Sequence, residues 1–381
     1  MTPHARAASG ISENTALRWV SAASRNFRRV TAVALLSGLR IALDATYSLD
    51  KALSGVGVYS REILNGLAQL EPQNRFEWFY RFRRYWKSRG DARPPNVTRR
   101  ILADTWGDRS APLFHGLNQR LPRRRFRRQI ATFHDLFVLS GDYSTREFRE
   151  RFALQAREAA AAADLIIAVS RFTASQVKNL LGVNPERIRV VHHGVTPRIL
   201  PNVPRENIVL CVGAIQRRKN QATLVRAFGS LPSDWTLVLA GSQGYQASEA
   251  LREVANNPCV DRIVITGYVS DAELGSLYAR ARIFAFPSLD EGFGMPVLEA
   301  MAAGVPVVAG NRSALPEVCG QAALLIDPDS EEQLAAALNR IASDEDTAGG
   351  LVRAGINHAR TYEWQAAVEK TAAVYQELLG T

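Results

Sequence analysis

The stretch Ile283-Phe-Ala-Phe-Pro-Ser-Leu-Asp-Glu291-Gly-Phe-Gly294-Met-Pro-Val-Leu-Glu299-Ala-Met-Ala-Ala-Gly304 passes from strand to loop to helix within 22 residues. The apolar run 283–286 stops at Pro287, which cannot donate to a strand ladder. Pro296 suits the first turn of a helix and Gly304 the C′ position, so both helix ends are written into the chain. Gly292 and Gly294 let the backbone approach a ligand just ahead of that helix, whose amino end offers free N–H groups and a partial positive charge. Glu291 falls in the loop and Glu299 in the helix. Ionised carboxylates accept hydrogen bonds from hydroxyls, so two of them at an anion-friendly helix tip suggest a polyhydroxy ligand. Taken singly, Glu299 has a plainer reading as a complement to the helix dipole and Glu291 as a solvated loop residue.

Outward from this unit the same alternation repeats. Strand candidates fall at 39–46, 75–82, 96–102, 112–115, 129–134, 164–170 and 187–192, then at 207–213, 235–241, 262–267, 283–287, 305–309 and 322–327. Segments of helical period separate many of them, including the Ala-rich 144–163 and 271–281, for which Asp271 is a candidate N-cap. Strand and helix in alternation imply parallel sheets covered on both faces, with too many strands for one ordinary sheet. The expected fold class is therefore α/β, with two doubly wound Rossmann-like domains and a cleft between them. Pro197, Pro201 and Pro204 place the joint at 197–205. The expected organisation is an extension over 1–38, one domain over 39–200, a second over 201–361, and a last helix over 362–381 that packs back on the first domain.

In doubly wound sheets, ligands sit beyond the carboxyl ends of the strands. One such loop, 213–220, carries Arg217, Arg218 and Lys219 ahead of a helix. Three cations at a strand-to-helix turn can hold a diphosphate, although such a run alone is as readily a solvated turn. In the first half, Ser54-Gly-Val-Gly57-Val-Tyr59 is a Gly-rich turn before a helix, without the third glycine of a dinucleotide fingerprint and without GK[ST]. His134 and Asp135 end another strand and become cleft candidates. His115, His192 and His193 also stand near strand ends and are left unassigned, with a structural reading favoured. No HExxH or GxSxG occurs, which removes support for zinc hydrolysis and nucleophile-elbow chemistry.

Composition sets the remaining bounds. The 381 residues are 46% hydrophobic and 22% charged, which excludes a mainly disordered chain. The longest apolar runs are about ten residues, against about 20 needed to span a bilayer. Cys211, Cys259 and Cys319 lie far apart without metal-ligand spacing and read as core residues in a reducing, cytoplasmic compartment. Charge is lopsided: residues 1–200 balance to +17 and residues 201–381 to −7. The cations of the first half interleave with aromatics around 80–89 and again at 120–128. That pattern suits RNA, by stacking and phosphate contact, or an anionic membrane leaflet. Arg25, Arg28 and Arg29 ahead of a short apolar run imitate a signal peptide, but the run continues into a good first strand, so 1–38 is read as an appended, partly helical arm or a misassigned start.

The block from Glu291 to Val308 resembles the E-x7-E signature of family four of the retaining glycosyltransferases, which have the GT-B fold; bacterial mannosyltransferases are among them. Residues 213–220 resemble that family's phosphate loop, 54–59 its glycine turn and 133–136 its catalytic-histidine strand. Ala168-Val-Ser-Arg171, His193-Gly-Val195 and Tyr362-Glu-Trp364 fit as well. The resemblance spans about 39–380. It implies a nucleotide-diphospho-sugar, GDP- or UDP-linked, bound mainly on the second domain. Arg218 and Lys219 would neutralise the diphosphate, Glu299 would bind the ribose, and Glu291 with the Phe293 and Gly294 backbone would hold the donor sugar. His134 would sit beside that sugar, and Gly57 would approach the phosphate from the first domain. It further implies no metal and no resident cofactor, and a front-face attack in which Glu291 is not a nucleophile. The chain departs from the pattern at Ala214 and Val58, where relatives often carry Arg, and at Arg217, where they often carry Pro.

The function so implied is transfer of a hexose, mannose as first guess, to a lipid-linked or polysaccharide acceptor, at the inner face of the plasma membrane and without a nucleic-acid partner. A nucleotide-sugar epimerase of the same fold and a non-catalytic membrane- or nucleic-acid-binding scaffold are the rival readings.

Overall fold

The computed structural model describes residues 38–50, 53–105 and 107–380; the arm expected over 1–38 lies almost wholly outside them. Among the described residues, thirteen strands form two all-parallel sheets within one compact unit. The first sheet holds β1 (Arg40–Asp44), β2 (Arg75–Arg81), β3 (Val97–Leu102), β4 (Leu113–Gly116), β5 (Arg128–Phe133), β6 (Leu165–Ala168) and β7 (Ile188–Val190), in the order 3-2-1-4-5-6-7. The second holds β8 (Glu206–Val212), β9 (Thr236–Ala240), β10 (Ile263–Gly267), β11 (Ala281–Phe286), β12 (Val307–Gly310) and β13 (Leu324–Ile326), in the order 10-9-8-11-12-13. This is the two-domain α/β architecture expected from the alternation. The central strands β1, β4, β6 and β12 are buried along nearly their whole length, whereas the edge strand β3 alternates and β10 is largely exposed. Burial on both faces explains why the central strands read as unbroken apolar runs.

Strand order reverses between β1 and β4 in one sheet and between β8 and β11 in the other. Chains leaving the two strands at such a point turn to opposite faces and open a crevice at the carboxyl edge. The loops after β8 and β11 are the two that the sequence singled out in the second half of the chain, and register places Ile283 beside Val209 and Phe284 beside Leu210.

Residues 191–205 link the sheets without regular structure, and the chain crosses back beside them to form the last helix, Trp364–Leu379. At the crossing Val195 N–H donates to the Tyr362 carbonyl over 2.9 Å, and a Cβ on Gly194 would come within 2.2 Å of Trp364 N. The last helix packs on the helix Gly55–Leu70, where Gly66 makes room for Val368. His115 fastens it to the first sheet, with Nδ1 2.6 Å from the Tyr375 hydroxyl and Nε2 2.8 Å from Thr132 Oγ1. Glu317 ties the second sheet's helices to the first: its carboxylate accepts from Arg171 and Phe172 N–H at the start of the helix Arg171–Leu181 and meets His192 Nε2 at 2.7 Å. The helix Asp271–Arg280 is capped not by Asp271 but by Ser270, which forms a reciprocal capping box with Glu273. A hydroxyl one residue earlier, with Glu three residues on, satisfies two backbone donors where Asp271 would satisfy one.

Candidate active site

The helix Met295–Ala302 begins where the sequence placed it, with Pro296 in its first turn and Gly294 at the N-cap at φ 104°, a value that favours glycine. Just ahead of it, Glu291 is buried and meets two cations from the turn after β8. Its Oε1 lies 2.6 Å from Lys219 Nζ and its Oε2 2.9 Å from Arg218 Nη1. Arg218 also donates to the Asp290 carbonyl and stacks 4.3 Å over Phe137, and Lys219 sits 4.5 Å over Phe286. Arg217, the third cation of the run, is exposed. Burial alone would raise the Glu291 carboxyl, but the charges and hydrogen bonds of Arg218 and Lys219 outweigh it and hold the group at about 2. Burial pulls Lys219 downward against the attraction of Glu291. Arg218 stays firmly charged despite its burial, because Glu291 and Asp135 face it.

Glu299 stands about 6 Å further along the helix axis. Its Oε1 takes a hydrogen bond from Arg198 Nη2 at 3.2 Å and its Oε2 one from the Tyr278 hydroxyl at 3.1 Å. Burial raises its carboxyl above the ordinary range, with Arg198 and Tyr278 pulling the other way. The linker residue Arg198, which also meets Asp271 at 3.1 Å, had no signal of its own in the sequence, since Glu299 is 101 positions away.

The loop 291–294 is pressed onto the first sheet. A Cβ at Gly292 would lie 1.8 Å from the His134 carbonyl oxygen, and the Gly292 carbonyl accepts from Ser170 Oγ at 2.7 Å and Thr173 Oγ1 at 3.1 Å. His134 is buried, donates from Nε2 to the Leu117 carbonyl at 3.0 Å, and leaves Nδ1 without a partner. Burial lowers its imidazole to about 4, so it is neutral at physiological pH. Burial raises the neighbouring Asp135 to about 6, against the pull of Arg218.

A histidine left unassigned in the sequence belongs to this group. His193 is 4% exposed, and both its ring nitrogens lack a partner. Its ring centroid lies 4.7 Å from Phe293, 5.0 Å from Tyr59, 5.4 Å from His134 and 5.8 Å from Trp364. Buried polar atoms are nearly always satisfied, so an imidazole with two idle nitrogens marks a site rather than a core. Phe293 thus turns its side chain into the aromatic cluster where the domains meet. His115, by contrast, spends both nitrogens on Tyr375 and Thr132, and His192 spends Nε2 on Glu317.

Gly57 lies inside the first turn of the helix Gly55–Leu70, where its N–H donates to the Ser54 cap and its missing Cβ leaves space for the Tyr47 carbonyl and Leu53. The glycine that faces the second sheet is Gly55, whose Cβ would stand 3.8 Å from Met295 Sδ. The amino ends of the Gly55 and Met295 helices therefore confront each other across the crevice. Two helix tips and two buried cations favour an anion here, in competition with the carboxylates of Glu291, Asp290 and Asp135 beside them. Among the described residues, no cluster of His, Cys, Asp and Glu is arranged to hold a metal ion, and no helix is long and apolar enough to cross a membrane.

Comparison with known proteins agrees with this fold. Residues 196–358 match the family described as glycosyl transferases group 1, and residues 74–198 match Glycosyltransferase Family 4. The O-antigen chain mannosyltransferase B of Escherichia coli is 30% identical over 284 residues, covering 70% of this chain and 74% of that one. Among solved structures, sucrose-phosphate synthase from Thermosynechococcus elongatus superposes with a TM-score of 0.73 at 23% identity, covering 90% of this chain and 99% of that one. Anabaena Alr3699/HepE, solved with UDP and glucose, superposes with a TM-score of 0.69 at 16% identity, covering 89% and 100%.

Proposed function

The chain belongs to the glycosyltransferases of the GT-B fold, and from that membership we propose that it moves a hexose, mannose first, from a GDP- or UDP-linked donor to a lipid-linked or polysaccharide acceptor with retention of anomeric configuration. The observation that carries this reading is the buried Arg218–Glu291–Lys219 cluster, assembled from the loops of β8 and β11 where strand order reverses. The mannose assignment follows the E. coli relative's activity.

In this reading the donor diphosphate lies against Arg218, Lys219 and the two helix tips. Fixed cations and oriented N–H groups stabilise charge that develops on a leaving phosphate without reorganising, the role a metal takes elsewhere, so transfer proceeds without one. Glu291, with the Phe293 and Gly294 backbone, receives the sugar hydroxyls, and Glu299 receives the ribose. Neutral His134 turns Nδ1 toward the sugar, while the tip of the Gly55 helix, whose first turn holds Gly57, covers the phosphate. The bond between the anomeric carbon and the phosphate oxygen breaks as the acceptor oxygen bonds to the same face of that carbon. The acceptor's proton passes to the departing phosphate oxygen.

Thermal-shift titration with GDP- and UDP-hexoses tests the donor assignment, and Glu299→Gln tests the ribose contact. A hydrogen bond to a charged group is worth about 1.5 to 3 kcal/mol, so donor affinity in the variant falls by roughly tenfold or more. Unchanged affinity rejects that contact. Retention of activity in a chelator checks metal independence, and the anomeric coupling of the product's new linkage checks retention. Conversion of the donor sugar with no acceptor present would transfer the site to the epimerase reading.

A further inference from the structure

The short helix Phe82–Ser88 follows the carboxyl end of β2, on the same edge of the first sheet as the crevice. Tyr85 and Ser88 turn inward, and Tyr85 packs on the core. Phe82 and Trp86, one turn apart, turn outward at 61% and 52% exposure with their rings 6.5 Å apart. Two large aromatics side by side in water form a feature that soluble surfaces rarely keep without a use.

Cations surround the pair. Residues 75–100 carry nine Lys and Arg against two Asp and Glu. Arg84 and Lys87 share Asp50 at 2.6 and 2.8 Å, and Arg100 meets Glu77 at 3.2 Å. Arg89, Arg93 and Arg99 have no carboxylate within ion-pair distance among the described residues. These three, with Arg100, Thr98 and Tyr85, line a cavity of about 400 Å³ beside the edge strand β3. Arg93 and Arg99 are held by the carbonyls of Val97 and Asp91, and Arg99 keeps Nε buried without a partner. Arg89 lies 5.2 Å over Trp86 and joins the cavity to the aromatic pair.

We propose that this surface docks the protein on a bilayer carrying anionic phospholipids, with Phe82 and Trp86 entering the headgroup layer and the arginine-lined cavity taking a phosphodiester headgroup. An apolar pair flanked by cations on a short helix is the pattern of an interfacial anchor. Each cation near an anionic leaflet adds attraction that salt screens. Single-stranded RNA, which the composition also allowed, needs open ring faces on which bases stack. Here the rings of Phe82 and Trp86 stand nearly perpendicular, and Arg89 covers a face of Trp86. The proposal goes beyond the sugar-transfer reading and is independent of it, because docking needs no donor.

Co-sedimentation of the full chain with phosphatidylcholine vesicles, with and without phosphatidylglycerol, tests it. The expected result is binding to the anionic vesicles, at least about tenfold weaker to the neutral ones at about 0.15 M salt. Phe82→Ser with Trp86→Ser, and separately Arg89→Gln with Arg93→Gln, lower binding by about tenfold or more. Trp86→Phe and Arg89→Lys retain it. Melting temperature and the donor-induced thermal shift, read on every variant, show that the fold and the crevice are intact, so a failed donor reading and a failed docking surface are told apart. Wild-type-like vesicle binding in both double variants overturns the proposal. So does equal binding to neutral vesicles, or an RNA oligonucleotide whose binding is lost with Trp86→Ser while vesicle binding is kept.

Discussion

Lys219 Nζ and Arg218 Nη1 reach the two oxygens of one carboxylate, that of Glu291, at 2.6 and 2.9 Å. Asp135 and Asp290 also face Arg218, so two cations and several carboxylates are gathered in a place where desolvation makes charge costly. In the proposed reading a donor diphosphate competes with Glu291 for the two cations, which the ion pairs hold in place in the folded protein.

Replacing Glu291 by Gln should therefore separate two effects. The free protein loses about 3 to 5 kcal/mol, the usual cost of removing one partner from a buried ion pair. Added GDP or UDP then raises the melting temperature of the variant more than that of the wild type, because both cations are free for the phosphates. The advantage of the nucleotide sugar over the bare diphosphate disappears, since the group assigned to the sugar is gone. Equal shifts in the two proteins would show that the cations do not meet the phosphates.

Acid should act on the same cluster with a definite sign. The Glu291 carboxyl sits at about 2 in the folded protein against 4.5 for an ordinary glutamate, so its ion pairs stabilise the fold fully above the ordinary value and lose that effect as pH falls toward 2. The stability gap between wild type and Glu291→Gln, measured by urea unfolding, should be widest near neutrality and narrow steadily below about pH 4.5. A gap that is constant down to the acid limit of folding would contradict the pairing.

The two glycines at the sheet junction should respond oppositely to the same added methyl group. At Gly292 a Cβ would lie 1.8 Å from the His134 carbonyl, backbone against backbone, with Ser170 and Thr173 pinning the same peptide. Gly292→Ala should cost at least about 2 kcal/mol and lower the melting temperature, because the loop peptide is held by Ser170 and Thr173 and the His134 carbonyl follows directly on β5. At Gly55 the nearest atom would be the flexible Met295 Sδ at 3.8 Å, an ordinary contact. Gly55→Ala should melt with the wild type while altering donor affinity, since it narrows the space between two helix tips. Similar melting temperatures for the two variants would refute the close crossing.

Much of this arrangement was legible before any coordinates, and the reason differs from part to part. Parallel strands buried on both faces leave continuous apolar runs, so β1, β8 and β11 declare themselves, and with them the loops that carry Arg218, Lys219 and Glu291. Local chemistry also fixed the helix Met295–Ala302 through Pro296 and Gly304. Local chemistry misled at Asp271, where two neighbouring residues were both competent caps and Ser270 won by pairing with Glu273. The helix Phe82–Ser88 was invisible because its outward face is aromatic, which erases the usual contrast between buried and solvated positions. Arg198 gave no signal, and His193, noted at a strand end and in the His193-Gly-Val195 match, gave no sign of its idle nitrogens, for another reason. Their roles exist only once the linker and the returning chain at Trp364 run side by side, and nothing in the neighbouring sequence encodes that meeting.

His193 offers the sharpest separation of structure from activity. Its ring packs among Tyr59, His134, Phe293 and Trp364, but neither nitrogen has a hydrogen-bond partner, and burial drives its imidazole well below the usual histidine value. A neutral imidazole with idle nitrogens contributes packing to stability and leaves buried polar atoms unpaid, so exchanging it for an apolar ring removes that penalty. His193→Phe should melt at or above the wild-type temperature, less whatever the slightly larger ring costs in crowding. If its nitrogens serve a hydroxyl of a bound sugar, the same variant loses about tenfold or more in kcat/KM, because the ligand's polar atom is then buried without a partner. His193→Asn, which restores a donor and an acceptor in less volume, should recover part of that loss at a lower melting temperature. Full activity in His193→Phe would return the residue to the core, and a collapse of the fold in the same variant would show that its nitrogens were satisfied after all.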